Sequence, residues 1–301
     1  MDLRQIKYFL TIAEEQTITK AAEKLHISQP PLSMALMELE EELGCTLMIR
    51  GKRHITLTTE GLALKRRGEQ LLTLTEMTKS EISQIKDGIN GTLYLGHVDS
   101  NGPALAARWI RDFCKKYPLV TYNLWCGTVD DLTDRLNSGL LDVAITMSPS
   151  NHDRLDSIQV YSEGWVAMIP ADHSLAKKRK KSILPADIIN DKLIISSRHS
   201  REDEIRRWFY DLEDEPHFII KTAHSSSAIK LVTEGIGIAL FPASVARNLP
   251  TDSGVVIKDI PCATKIDYLL SWDKERTMNS LTKTFIEYVR ETGSENKLYI
   301  S

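Results

Sequence analysis

The chain has 301 residues, 42% hydrophobic and 26% charged, with a net charge of −3; that is the balance of a soluble globular protein, and it is too long for one small core, so two or more domains are expected. No run of about 18 apolar residues offers a membrane span, and the opening Met1-Asp2-Leu3-Arg4-Gln5 has no basic stretch followed by an apolar core, so a cytoplasmic location without a membrane partner is expected. The cysteines (Cys45, Cys114, Cys126, Cys262) are scattered, which argues against structural zinc and a disulfide framework.

Leu3, Ile6, Phe9, Leu10 and Ala13 recur at helical spacing and predict an amphipathic helix over 2–14. Thr17 or Thr19 can cap a second helix, whose Ala21, Ala22 and Leu25 pack inward. A tight turn follows, and Ser28 is placed to cap a third helix with Pro30 and Pro31 in its first turn, where missing backbone donors cost nothing. The side chains of Gln29, Pro31, Leu32, Ser33 and Met34 then lie near the exposed helix start, where Gln can pair with adenine edges and Ser can reach base or phosphate. Leu36, Leu39 and Leu43 continue a buried stripe that Gly44 ends. The glutamates Glu38, Glu40, Glu41 and Glu42 read as a solvent face. Leu47–Arg50, the turn Gly51-Lys52-Arg53-His54 and Ile55–Thr58 predict a two-stranded wing with a basic tip against phosphate or in the minor groove. Net charge alone argues against a general polyanion binder. Locally, however, Arg50, Lys52, Arg53, Lys65, Arg66 and Arg67 fall within eighteen residues holding one acid, Glu60. The order of elements is a winged helix-turn-helix, whose later helix enters the DNA major groove. The candidate DNA contacts are Thr19, Lys20, Ser28, Gln29, Pro30, Pro31, Ser33, Met34, Arg50, Lys52 and Arg53.

The stretch Ala21-Ala22 … Leu25-His26-Ile27-Ser28-Gln29-Pro30-Pro31-Leu32-Ser33 … Leu39-Glu40 … Leu43-Gly44 … Leu47 … Arg50 … Leu57-Thr58 … Gly61 resembles the N-terminal signature of LysR-type transcriptional regulators. That family usually has Phe where this chain has Met48 and often has Arg or Lys near Met34. The first departure is a mild core swap; the second removes a common DNA contact.

Residues 59–87 hold no proline, and Leu64, Leu71 and Ile85 share a seven-residue phase, with Thr78 at the missing step and Leu74 and Ile82 widening the stripe. A helix of about 40 Å needs a packing partner, and a second subunit is the natural one. The resemblance implies dimerisation through this helix and assembly into homodimers or homotetramers.

From residue 91 strands and helices alternate. Leu93–Val98, Val120–Trp125 and Leu141–Thr146 read as strands, with helices from Pro103 to Lys116 and from a Thr128 cap with Asp131 in the capping-box position. A second run, from about Tyr161 to Lys265, holds the strands Gly164–Ile169, Leu193–Ser196 and Phe218–Thr222 and the helix Ser226–Glu234. Ile266–Trp272 returns to the first sheet, and Leu281–Glu291 closes the chain. Gly235-x-Gly237 follows a helix and enters a strand, the reverse of a dinucleotide loop. Lys177–Lys181 reads as a solvated loop. No histidine pair has metal-ligand spacing and no Gly-x-Ser-x-Gly elbow occurs, so neither a metal, a cofactor nor an enzymatic activity is expected.

The expected fold is therefore multidomain: a winged helix-turn-helix over 1–58, a linker helix over 59–88, and a two-lobed α/β domain over 91–301. Lobe one comprises 91–161 and 266–301, lobe two 162–265. The order resembles the family's effector-binding domain, itself similar to periplasmic solute-binding proteins. Ligands bind at the carboxyl ends of strands, which nominates Ser100, Asn101, Thr128, Thr146, Ser197, Arg198 and His199. Hydroxyls, free N–H groups at helix starts and Arg198 suit a small carboxylate. The expected protein is a cytoplasmic regulator of transcription whose partners are double-stranded DNA, a small-molecule effector, itself and RNA polymerase. The alternative is a cytoplasmic solute-binding or enzymatic α/β protein with an N-terminal oligomerisation module.

Overall fold

The computed structural model describes residues 1–51, 54–87, 89–148, 153–247, 249, 252–261 and 264–295, which form two compact units, Met1–Lys86 and Asp87–Ser301. In the first unit α1 (Leu3–Glu15) opens on a closed capping box. Asp2 accepts from the Gln5 N–H at 2.7 Å and the Gln5 side chain accepts from the Asp2 N–H at 3.0 Å. The cap of α2 (Ile18–Leu25) is Thr17, whose hydroxyl accepts from the Lys20 N–H. His26 (φ 56°) turns the chain into α3 (Gln29–Leu43). Phe9, Ile12, Ile18, Ala21, Ala22, Leu32, Leu36 and Leu39 form the shared core, each large apolar side chain contributing about 1.5–3 kcal/mol.

Two expectations need correction here. Leu32 is fully buried rather than near the exposed face, and Leu43 is 40% exposed, so the stripe closes at Leu39 and the last turn of α3 stands free of the core. Gly44 ends that helix in the left-handed region (φ 65°), where glycine carries no Cβ penalty.

The wing pairs β1 (Met48–Arg50) antiparallel with β2 (Ile55–Leu57), Ile49 opposite Thr56. Glu40 is not part of a purely solvent-facing acidic run. Its carboxylate accepts from the Leu47 and Met48 N–H groups at 2.7 and 3.1 Å, tying the wing to α3. On the other strand the Ile55 N–H donates to the Gln16 carbonyl at the end of α1. Thr58 then caps α4 (Thr59–Asp87), accepting from the Gly61 N–H at 2.9 Å. The start of α4 packs on the three-helix core: Leu64 joins it, and a Cβ on Gly68 would lie 2.9 Å from Ile6 Cγ2. Gly68 is thus a contact glycine where α1 crosses α4. Further along, Leu71, Leu74 and Ile82 are exposed, while the side chain of Ile85 lies outside the described residues.

The second unit begins with β3 (Gly91–His97), α5 (Gly102–Lys116), β4 (Val120–Cys126), α6 (Val129–Asn137), β5 (Val143–Met147) and β6 (Leu155–Glu163). The chain crosses at Gly164 into β7 (Trp165–Pro170), β8 (Lys192–Ser196), α7 (His199–Arg207), β9 (His217–Thr222), α8 (Ser225–Thr233), β10 (Ile238–Pro242), α9 (Ala243–Ala246) and β11 (Val255–Ile260). It returns through β12 (Ile266–Asp273) and α10 (Ser280–Glu295). Two five-stranded sheets result, ordered β4-β3-β5-β12-β6 and β11-β7-β10-β8-β9. β3 runs parallel to β4 and β5, and β12 lies antiparallel between β5 and β6. In the first lobe α5 and α10 cover one face through Phe113 against Phe285 at 5.2 Å and Tyr288 at 5.3 Å. In the second, Met168, Ile194, Ala228, Val232 and Phe241 form the core. Sequence reading does not reveal β6, β11, α7 or α9. β6 is a half-exposed edge strand without clean alternation, and α7 reads His199-Ser200-Arg201-Glu202-Asp203-Glu204-Ile205, with one apolar residue to mark a buried face.

A buried hydrogen-bonded cluster marks the crossing. The Glu163 carboxylate accepts from Ser244 N–H (2.7 Å), Ser244 Oγ (2.7 Å) and Tyr268 OH (2.6 Å). Burial first, and then the Glu163 charge, push the Tyr268 phenol well above its ordinary value.

Candidate functional site

Two sites emerge, one in each unit. In the first, the opening of α3 is bare: Ser28, Gln29, Pro30 and Pro31 are exposed, Ser33 is half-buried, and Met34 is 60% exposed. Thr19 and Lys20, at the start of α2, are exposed as well. Ser28 occupies the N-cap position but its hydroxyl makes no cap bond. The reason is chemical. A cap hydroxyl accepts from the second or third helical N–H, and here those residues are Pro30 and Pro31, which have none. The Ser28 hydroxyl and the Gln29 amide are therefore both available to a base edge or a phosphate. Of the wing contacts, Arg50 lies at the end of β1 with its side chain outside the described residues, and Lys52 and Arg53 lie outside them altogether.

In the second unit, loops at the carboxyl ends of both sheets enclose a cavity of about 640 Å³, part of it open to solvent. Ser100, Thr128, Ser197 and Arg198 line it. Three other nominated residues fare differently. Thr146 is fully buried and shares a 2.9 Å hydrogen bond with Ser271 Oγ, so it cannot reach the cavity. Side chains alternate along a strand, and it is the next residue, Met147, that faces the space. Asn101 lines a separate hollow with Ser244 and Arg247. His199 opens α7, but its side chain lies outside the described residues.

Thr128 is also a structural cap: its hydroxyl accepts from the Asp131 N–H at 3.2 Å while the Asp131 carboxylate accepts from the Thr128 N–H. Ser100 Oγ lies 2.6 Å from Tyr268 OH, which joins the cavity wall to the Glu163 cluster.

Several lining residues escape sequence reading. Arg201 projects from α7 one turn after Arg198, so both guanidinium-bearing side chains border one space. Arg201 is 3% exposed; it bonds the Glu204 carboxylate at 2.5 Å and the Ser148 carbonyl across the lobes, and its guanidinium carbon lies 5.6 Å from the Trp165 ring centroid. Burial, and secondarily the Arg201 charge, lower the Arg198 proton affinity. Asp99 spans the lobes as well, accepting from the Ser225 N–H at 2.6 Å at the start of α8. Trp165, Met147, Leu240 and Phe241 give the cavity apolar walls. The i, i+3 spacing of Arg198 and Arg201 was the one available signal for the second cation.

Cations beside apolar walls can hold an organic anion: the guanidiniums take the charged head and the rings the body. Among the described residues, no group of three His, Cys, Asp or Glu side chains is placed to hold a metal ion, and no helix is long and apolar enough to cross a membrane.

Comparison with known proteins agrees with both halves. Residues 3–62 match the bacterial regulatory helix-turn-helix protein model of the lysR family, and residues 86–294 match the LysR substrate binding domain. The chain is 31% identical over 249 residues to the transcriptional regulator BsdA of Bacillus subtilis, covering 81% of this chain and 85% of that one. It is 30% identical over 254 residues to the regulator BenM of Acinetobacter baylyi, covering 81% of each. The crystal structure of full-length CbnR complexed with its target DNA superposes with a TM-score of 0.77 at 25% identity, over 97% of this chain and 100% of that one. These relatives are regulators of transcription, not solute carriers or enzymes. The chain belongs to the LysR family of DNA-binding transcriptional regulators, with an N-terminal helix-turn-helix and a two-lobed ligand-binding domain.

Proposed function

We propose that this regulator is controlled by a small carboxylate, with an apolar or aromatic body, bound between the lobes of its second unit. The observation that carries the reading is the pairing of Arg198 with Arg201 beside Trp165 and Phe241 in one cavity. Ser100, Thr128 and Ser197 supply further polar contacts around the head group. The division of labour is DNA recognition by 1–58, subunit pairing by 59–88, and effector binding by 91–301, with lobes at 91–161 plus 266–301 and at 162–265. Exposed Leu71, Leu74 and Ile82 support pairing into a homodimer or homotetramer. Two α3 helices in a dimer would read a pseudo-palindrome with half-sites about one helical turn apart. The wing residues Arg50, Lys52 and Arg53 would add phosphate contacts, and the complex would work in the cytoplasm by changing the access of RNA polymerase. The likeness to CbnR bound to its target DNA supports the DNA role. An effector acts by binding one arrangement of subunits more tightly than another.

A thermal-shift screen of organic acids, amino acids and sugar phosphates tests the ligand class. A carboxylate at 100 times its dissociation constant stabilises the fold by about 2.7 kcal/mol, and Arg198→Ala should abolish that shift. Stabilisation by neutral or cationic compounds alone would overturn the carboxylate reading while leaving family membership untouched.

A further inference from the structure

The basic run Lys177-Lys178-Arg179-Lys180-Lys181 has no part in α3 or in the cleft. All five side chains are exposed, and none makes an ion pair or a hydrogen bond with a described residue. No Asp or Glu lies between Asp172 and Asp187 to offset them, in a chain whose net charge is −3. Five like charges in a row repel one another and ordinarily belong to loose segments. Here the backbone beneath them is fastened. Leu175 and Ile183, on either side, are 4% and 3% exposed. At the exit Ser182 forms a parallel bridge with Asp259 of β11: the Asp259 N–H donates to the Lys181 carbonyl at 3.0 Å, and the Ile183 N–H donates to the Asp259 carbonyl at 2.9 Å. In the middle, Lys258 of the same strand is 4% exposed, and its ammonium donates to the Lys178 and Lys180 carbonyls at 2.7 and 2.5 Å. Burying a cation is costly unless a carboxylate pairs with it, and among the described residues Lys258 has no such partner. The fold thus sets a sixth positive charge under the other five. That choice adds repulsion and concentrates positive potential at one place on the surface.

We propose that this loop is a second DNA contact, by which the ligand-binding unit grips the phosphate backbone without reading sequence. Lysine heads are point charges that suit phosphate oxygens. The partner is at hand, because the same chain carries a DNA reader, and tethering keeps duplex phosphates at high effective concentration around the second unit. The proposal therefore rests on DNA binding by the first unit. The loop joins β7 to β8 in the lobe that also carries Arg198 and Arg201, so a rearrangement of that lobe would move the grip on DNA.

The test is the salt dependence of binding to a long duplex of mixed sequence, measured by mobility shift over a series of KCl concentrations with full-length protein. The loop variant combines Lys178→Gln, Arg179→Gln and Lys180→Gln, all at exposed positions. A control of equal charge combines Lys115→Gln, Lys230→Gln and Lys283→Gln, exposed and scattered over the same unit. Each phosphate contact contributes about 0.9 to the slope of log affinity against log salt, so the loop variant should lose about two to three from that slope while the control keeps the parent's. Equal slopes for parent and loop variant, or an equal drop in the control, overturn the proposal. With equal slopes, retention of the parent but not of the loop variant on immobilised poly-L-glutamate would assign the loop to an acidic protein segment instead. DNA binding by the first unit is judged separately, by whether the parent binds the duplex at all.

Discussion

The two sites use polar groups in opposite ways. On α3 they stand on the outside of a finished core: Ser28 and Gln29 are exposed, and Pro30 and Pro31 keep the Ser28 hydroxyl from turning back onto the helix. In the cleft the charges are part of the architecture. Arg201 is buried with Glu204 and ties α7 to lobe one, and Asp99 ties β3 to α8. A DNA face can therefore vary without disturbing the fold, whereas a change of effector specificity has to preserve the links that hold the lobes.

That contrast can be broken by four measurements. Arg201→Ala leaves Glu204 buried without its cation, and should cost about 3–5 kcal/mol in urea unfolding; a loss below about 1 kcal/mol would show that the cleft charges are not structural. Gln29→Ala should leave the unfolding midpoint within about 0.5 kcal/mol of the parent while weakening operator binding by about 1–3 kcal/mol in mobility shifts. Were stability to fall as much as binding, the recognition face would not be separable from its core. Thr128→Ala sits between the extremes, being both cap and cavity wall. It should lower stability by about 1 kcal/mol and weaken effector binding as well, and an intact effector affinity would reduce it to a cap alone.

The smallest effect is a pH slope. Lys221 first, and Arg206 second, hold the Glu202 carboxyl below its ordinary value of 4.5. A depressed folded-state value means stability that is present above 4.5 and lost as the pH falls towards the folded value. Glu202→Gln should flatten the acid limb of stability in that window. An unchanged slope would mean that Lys221 and Arg206 do not stabilise the ionised form.

Legibility in the sequence follows the same divide. The DNA unit is readable because its determinants are local: Thr17, the Ala21–Ala22 pair, the double proline and Gly44 each act within a turn or two of their own position. The cleft is assembled from distant pieces. Asp99 and Ser225 are 126 residues apart, and nothing near either announces the other. The alternation of strands and helices could be inferred, but side-chain phase could not: Thr146 bonds Ser271 within the sheet, and Met147 faces the cavity. Arg201 was hidden in a polar helix whose sole apolar mark is Ile205. Glu40 looked like solvent-facing acid because a carboxylate that binds backbone N–H groups seven and eight residues on leaves no periodic trace.

That same carboxylate makes the wing and α3 a single lever. Leu47 and Met48 hang from Glu40, while Ile55 is pinned to the end of α1. With α3 in the major groove, as proposed, a tilt of that helix would be carried to the hairpin at its flank through these bonds. Such a reader measures the distance between groove and neighbouring backbone as a caliper does, with jaws set at a fixed gap. It would discriminate against a duplex whose local twist or width departs from that gap, even where every contacted base is correct.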